Sequence, residues 1–226
     1  MSETKKQSFN DAVKKLFKRY FIDAMGAMAL GLFATLLMGT ILDTIGKYIP
    51  ISWLSAGLCE AASFAKGASG MAIGVAIAYS LKSDPLVLFS CAVVGSASYS
   101  MGTTIALSSG AEIAYTAGPA GVFFAAIIAA ELGRLVSKKT KIDILVTPAV
   151  TILSGYIVAK LICPAIAYLM YYLGSFINTA TEMRPFVMGI IVSVVVGVIL
   201  TLPISSAAIC AMIGISGLAG GAATVG

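Results

Sequence analysis

Pro203 stands among hydroxyls, Thr201, Ser205 and Ser206, between two apolar half-spans. Proline lacks an N–H and crowds the carbonyl four residues earlier. In a membrane helix it therefore frees backbone groups that neighbouring hydroxyls or a polar ligand must satisfy. Interrupted helices of this kind line substrate sites in transporters, although a kink satisfied by its own serines is the ordinary alternative. Four ionisable residues, Glu60, Lys66, Glu131 and Lys160, also fall within apolar stretches. Each costs about 3 kcal/mol on insertion scales unless it finds a partner, a water-filled cavity or an interface. Glu131 and Lys160 lie near span ends and are expected to snorkel. Glu60 and Lys66 lie in an irregular segment that can enter and leave the membrane on one side. There a carboxylate can hydrogen-bond a solute hydroxyl such as that of a sugar. Ser96, Ser98, Ser100, Thr103 and Thr104, with Gly95 and Gly102, form a weaker cluster of the same kind. The candidate binding set is Glu60, Thr201, Pro203, Ser205 and Ser206, with no catalytic residue.

Other chemistry is excluded by what the chain lacks. It has no histidine, which removes imidazole acid/base catalysis, phosphohistidine and the commonest zinc sites. The four cysteines, Cys59, Cys91, Cys163 and Cys210, are widely spaced in apolar segments and form no CxxC pair. They read as small buried hydrophobes, so neither metal nor redox chemistry is expected. The net charge of +5 does not indicate nucleic acid, because the basic residues cluster in short flanks beside hydrophobic segments.

The elements that must position these residues are membrane helices. Apolar residues make up 59% of the 226 and charged residues 11%, so lipid is the solvent for most of the chain. A hydrocarbon core of about 30 Å needs about 20 helical residues. On that length, spans are predicted over residues 20–45, a second ending near 81, then 86–107, 119–135, 147–172 and 185–200. Pro85, Pro119, Pro148 and Pro185 open four of them, and Pro164 is expected to kink the fifth. Residues 108–116 and 174–184 read as loops. The fold class is therefore all-α, a polytopic transmembrane protein of about six spans plus a broken or re-entrant segment.

Residues 1–19 are polar and basic, with Phe9, Val13, Leu16 and Phe17 at helical spacing. They form an amphipathic helix on an anionic membrane face, ahead of a membrane domain at 20–226. Eleven Lys and Arg fall on the N-terminal side of the predicted spans, and only Lys47 and Arg184 fall opposite. The positive-inside rule then makes the N-terminus cytoplasmic. Ala27, Gly31, Thr35 and Gly39 recur every four residues, as do Gly189, Ser193 and Gly197, and Gly70 and Gly74 repeat the spacing. Such stripes predict close helix packing.

A resemblance rests on residues 118–214. A small-residue helix, AGPAGVFFAAIIAAELGRLV, leads into the basic turn SKKTKIDILVTP, then a span with an internal proline, KLICPAIAYLM, then MGIIVSVVVGVILTLPISSAAICAMIGI. This order resembles the membrane subunit, enzyme IIC, of bacterial phosphotransferase sugar permeases, the fructose-type members in particular. In those a Pro-Ile-Asn loop follows the corresponding helix, and Pro203, Ile204 and Ser205 occupy that place here, with no Asn or Lys after the Ile. Over nearly the whole chain the sequence is similar to stand-alone enzyme IIC-like proteins, whose first span reads much like GAMALGLFATLLMGTILDTIG.

The resemblance implies a sugar or other small polar solute as ligand, the bacterial cell membrane as location, and separate IIB and IIA proteins as partners. A phosphocysteine on IIB would supply the phosphate. It implies no cofactor and leaves a homodimer open. Family members continue past the Gly-Ala run at 217–226, so the chain is expected to be incomplete at its C-terminus. Two rivals stand beside this reading: a membrane sensor or regulator that binds a solute without moving it, and an ion-coupled carrier using Glu60 or Glu131 as proton site.

Overall fold

The computed structural model describes residues 13–106 and 112–181, together with the isolated helical positions 190, 193, 194 and 197. With no water to satisfy its backbone in lipid, so apolar a chain must close its hydrogen bonds within helices. The first helix, α1, runs from Val13 to Tyr48, 36 residues, with wider π-type turns at Lys18–Asp23 and Phe33–Leu37. Residues 13–19 are thus its opening turns, with no helix end at position 19. At 1.5 Å per residue α1 is about 54 Å long, so it must tilt in a 30 Å core or extend beyond it. It stops where Ile49, the residue before Pro50, turns extended.

Helices α2 (Ser52–Gly67) and α3 (Ser69–Ser80) are bent by 48° about Ala68, the geometry of a broken span or a re-entrant loop. Helix α4 (Pro85–Ser100) begins on its proline as expected. Its end is a correction: the span predicted to reach residue 107 stops at Ser100. Strand β1 (Gly102–Ala106) then pairs antiparallel with β2 (Glu112–Thr116), Gly102 opposite Thr116 and Ala106 opposite Glu112. Among the described residues the fold is helical, as expected, apart from this hairpin. The Ala117 N–H closes the hairpin onto the Met101 carbonyl at 2.8 Å, and Gly118, at φ 52°, starts the next helix in a conformation that favours glycine.

Helix α5 (Gly118–Val136) follows the predicted fourth span. Helix α6 (Asp143–Thr181) starts earlier than expected and continues through the predicted loop at 174. Asp143 stands in the first turn, where a carboxylate favours the helix N-terminus, and it accepts the Thr147 hydroxyl at 2.5 Å and, from the preceding connection, the Lys138 N–H at 2.9 Å. Pro148 and Pro164 both lie inside this single helix. Among the described residues three helices are long and apolar enough to cross a membrane, α1, α5 and α6, or four if the α2–α3 pair counts as one span. The 16-residue α4 is apolar but shorter, and the span predicted at 185–200 lies outside the continuously described residues.

Small residues set the packing. A Cβ on Gly70 would lie 2.6 Å from the Gly95 carbonyl oxygen, and one on Gly74 would fall on the Cys91 carbonyl, so α3 and α4 meet backbone to backbone. A Cβ on Gly31 would lie 3.0 Å from the Ala72 and Ile73 backbone of α3, and one on Gly39 would lie 3.0 Å from the Ala62 carbonyl oxygen of α2. The predicted stripe thus does pack helices. Around it lies a core of Ile73, Ile77, Val87, Val94, Ala126, Ala129 and Ala159. Leu30, Phe89, Leu153 and Leu161 point outward instead, Leu161 at 78% exposure, as lipid-facing side chains do.

Candidate functional site

The charged residues collect at two places, and their pairing separates fastening groups from a group available to bind. At the end of the bundle carrying the start of α1, Glu131 of α5 accepts from Arg19 of α1 at 2.9 Å and from Arg134 at 3.1 and 3.4 Å. Arg19 also donates to the Leu81 carbonyl at the end of α3, at 3.2 Å. Three helices are pinned by one guanidinium and one carboxylate, which are about one third exposed. Glu131, expected to snorkel from a span end, is instead paired with Arg19, 112 positions away and beyond the reach of local spacing.

A second fastening joins the connection between α3 and α4 to the connection that follows α5. Asp84 accepts from Lys138 Nζ and, at 2.9 Å, from the Ser137 hydroxyl. These contacts, Lys138 first and Ser137 second, hold the Asp84 carboxyl below the usual carboxylate range. The span-end connections of α3 and α5 carry lysines in left-handed backbone, Lys82 at φ 55° and Lys138 at φ 62°.

Farther along α1, Asp43 accepts from Lys66 of α2 at 2.8 Å and from Lys47 at 3.0 Å. Lys66 therefore has the partner that its place in an apolar helix demanded, and Asp43 is a structural residue that sequence reasoning missed. Its spacing of four from Lys47 was the available signal. Lys160, exposed on α6, lies over the Tyr156 ring at 5.9 Å.

Glu60 differs from these acids. It is exposed on α2, six residues before Lys66, and its carboxylate makes no hydrogen bond or ion pair with any described residue. Besides the helix's own backbone bonds, its carbonyl accepts the Ser63 hydroxyl at 2.7 Å. An uncompensated carboxylate on an apolar element requires an aqueous cavity, an interface or a ligand.

The hydroxyl cluster at the end of α4 is divided by the fold. Ser98 is buried and donates to the Val94 carbonyl at 2.6 Å, Ser100 donates back to Ser96 and Ala97, and Thr103 and Thr104 belong to β1. Buried Thr151 likewise donates to its own helix, at the Thr147 carbonyl, 2.8 Å away. These hydroxyls spend their protons on helix carbonyls. Cys91 and Cys163 are buried free thiols and Cys59 is half-buried; Cys210 lies outside the described residues.

Thr201, Pro203, Ser205 and Ser206 lie outside the described residues, so of the candidate binding set the structure places Glu60 alone. A family model described as "Phosphotransferase system, EIIC" matches residues 22–226. No curated protein and no solved structure matches the chain.

Proposed function

This chain belongs to the phosphotransferase system EIIC family, and on that premise we propose that it is the membrane subunit that binds a sugar and carries it across. The family gives a membrane protein with a permease role, a sugar substrate, and IIB and IIA proteins as partners. In this reading Glu60 accepts a sugar hydroxyl proton in a hydrogen bond, and Thr201, Ser205 and Ser206 supply further polar groups around the break at Pro203. The basic end of the bundle faces the cytoplasm, supported by the excess of Lys and Arg there. A rigid-body movement presents the sugar on that side. A separate IIB protein then transfers phosphate from its phosphocysteine to the sugar hydroxyl, and this chain contributes no nucleophile of its own.

The observation that carries the proposal is the contrast of Glu60 with Glu131 and Asp43. Glu131 and Asp43 each meet two cations, whereas Glu60 meets none on an element that is broken at Ala68. The contrast also weighs against Glu131 as the proton site of an ion-coupled carrier, because two guanidiniums occupy its oxygens.

The test is sugar uptake by the reconstituted protein with and without the general phosphotransferase proteins, for wild type and Glu60→Gln. The proposal expects uptake that requires those proteins and falls at least tenfold in the variant. Uptake independent of them and collapsed by an uncoupler would establish the ion-coupled carrier. Sugar binding without uptake would establish the sensor.

A further inference from the structure

A cleft of about 720 Å³ opens at the basic end, lined by Lys15, Lys18, Arg19, Lys82 and Arg134, with Asp23 the one carboxylate among its lining residues. Two of these cations have structural duties, since Arg19 and Arg134 hold Glu131. The other three have none. Lys15, Lys18 and Lys82 make no hydrogen bond or ion pair through their side chains with any described residue. They come from two elements far apart in sequence, the first turns of α1 and the end of α3, so helical periodicity alone does not assemble them.

Lys82 supplies an independent sign. It follows α3 at φ 55°, where the left-handed conformation disfavours a side chain by about 1 kcal/mol or more and glycine is the usual occupant. Lys138 occupies the matching conformation after α5, and there the side chain has an evident use, the ion pair with Asp84. Lys82 has no such partner, yet it lines the cleft. A strained lysine whose ammonium is unpaired and faces four other cations fits a place for an anion with several acceptor oxygens.

The surroundings select the source of that anion. Leu16 is part of the lining, and Val13, Phe17, Phe21 and Ile22 are exposed along the same stretch of α1, Phe17 at 56%. Charge and exposed apolar surface therefore meet on one stretch of α1, the combination that matches a lipid's charged headgroup above its acyl chains. We propose that this cleft is a binding site for the phosphate of an anionic phospholipid, held by Lys15, Lys18 and Lys82 with Arg19 and Arg134 behind them. Its acyl chains lie along the exposed apolar face of α1. Occupancy would link α1 to the α3 and α5 ends beside the Arg19–Glu131 bridge.

Native mass spectrometry of the full chain in detergent tests this, with dioleoylphosphatidylglycerol as probe and dioleoylphosphatidylcholine as the neutral-headgroup comparison. The site predicts retention of the anionic lipid and about a fivefold loss of affinity for each cleft lysine removed. Lys82→Gly is the most informative variant, because glycine suits φ 55° and the fold is kept while the ammonium is lost. Lys15→Gln with Lys18→Gln should weaken binding further. Lys139→Gln with Lys141→Gln, exposed cations outside the cleft lining, should leave affinity within twofold. Equal losses in that control, or unchanged binding in Lys82→Gly, would overturn the site. Displacement of the lipid by equimolar inorganic phosphate or hexose 6-phosphate would assign the cleft to a soluble phosphate and overturn the lipid assignment.

Discussion

Glu131 and Glu60 are the same residue type on apolar helices, and the fold treats them in opposite ways. Around Glu131, three helix ends converge, and the carboxylate meets two guanidiniums while one of these also caps the α3 carbonyl of Leu81. Around Glu60, one helix of a bent pair is exposed and the carboxylate is unmatched. An intramembrane charge that is compensated within the protein belongs to the architecture, whereas one left uncompensated calls for something from outside. The Glu131 region is accordingly read as a clasp and the Glu60 region as a place where a polar solute can act as the missing partner.

The comparison can be broken most forcefully through the frame on which both regions depend. Gly74→Leu places a side chain on the Cys91 carbonyl, and with Gly70 and Gly95 equally confined α3 and α4 cannot simply part. Overpacking of this kind costs about 3 kcal/mol, so the yield of folded, monodisperse protein in size-exclusion chromatography should collapse. A variant with wild-type yield and melting temperature would contradict the backbone-to-backbone contact.

A smaller effect should separate the two glutamates. Glu131→Gln removes the clasp's negative charge and leaves Arg19 and Arg134 facing each other; at one third exposure the loss is about 1 kcal/mol, visible as a lower melting temperature without loss of sugar binding. Glu60→Gln should do the reverse, keeping the melting temperature and losing sugar binding. If both variants changed stability alike, Glu60 would be structural too. Asp43→Asn releases Lys66 and should loosen α2 against α1, read as faster hydrogen exchange over 52–67 with α5 unchanged.

The smallest expected effect is a dependence on acid. The Asp84 carboxyl is held below its ordinary value of 3.8 by Lys138 and Ser137. Its contribution to stability is therefore complete above that value and is lost as pH falls through the lower folded-state one. Asp84→Asn should remove this part of the acid dependence of thermal unfolding, while its melting temperature at neutral pH drops only slightly because Lys138 is well exposed.

Much of the frame was legible in the residues. Pro85 begins α4 and Gly118–Pro119 begins α5 because proline suits the first turn, and the stripe through Gly31 and Gly39 does bring helices together. The hairpin was not read, although Thr103, Thr104 and Ile105 carry β-branched side chains that favour strands. Their hydropathy continued that of α4, and length alone cannot tell an extended apolar run from a helix end. The start of α6 was missed for a similar reason, because Pro148 outweighed the acidic first-turn residue Asp143.

The site was legible only as far as residue type. That Glu60 and Lys66 needed partners followed from the cost of charge in lipid, but which of them had one depended on contacts 23 positions apart, between Asp43 and Lys66. The pairing of Arg19 with Glu131 depended on a still longer separation. Such partners are fixed by helix packing, which short-range spacing does not encode.

The most direct measurement is a thermal-shift screen of the purified protein in detergent across hexoses, pentoses and sugar alcohols, with wild type and Glu60→Gln side by side. A ligand that binds the folded state alone must raise the melting temperature. The account predicts a rise with one sugar class in the wild type and none in Glu60→Gln. An equal rise in both proteins would contradict the assignment of the unpaired carboxylate to the sugar.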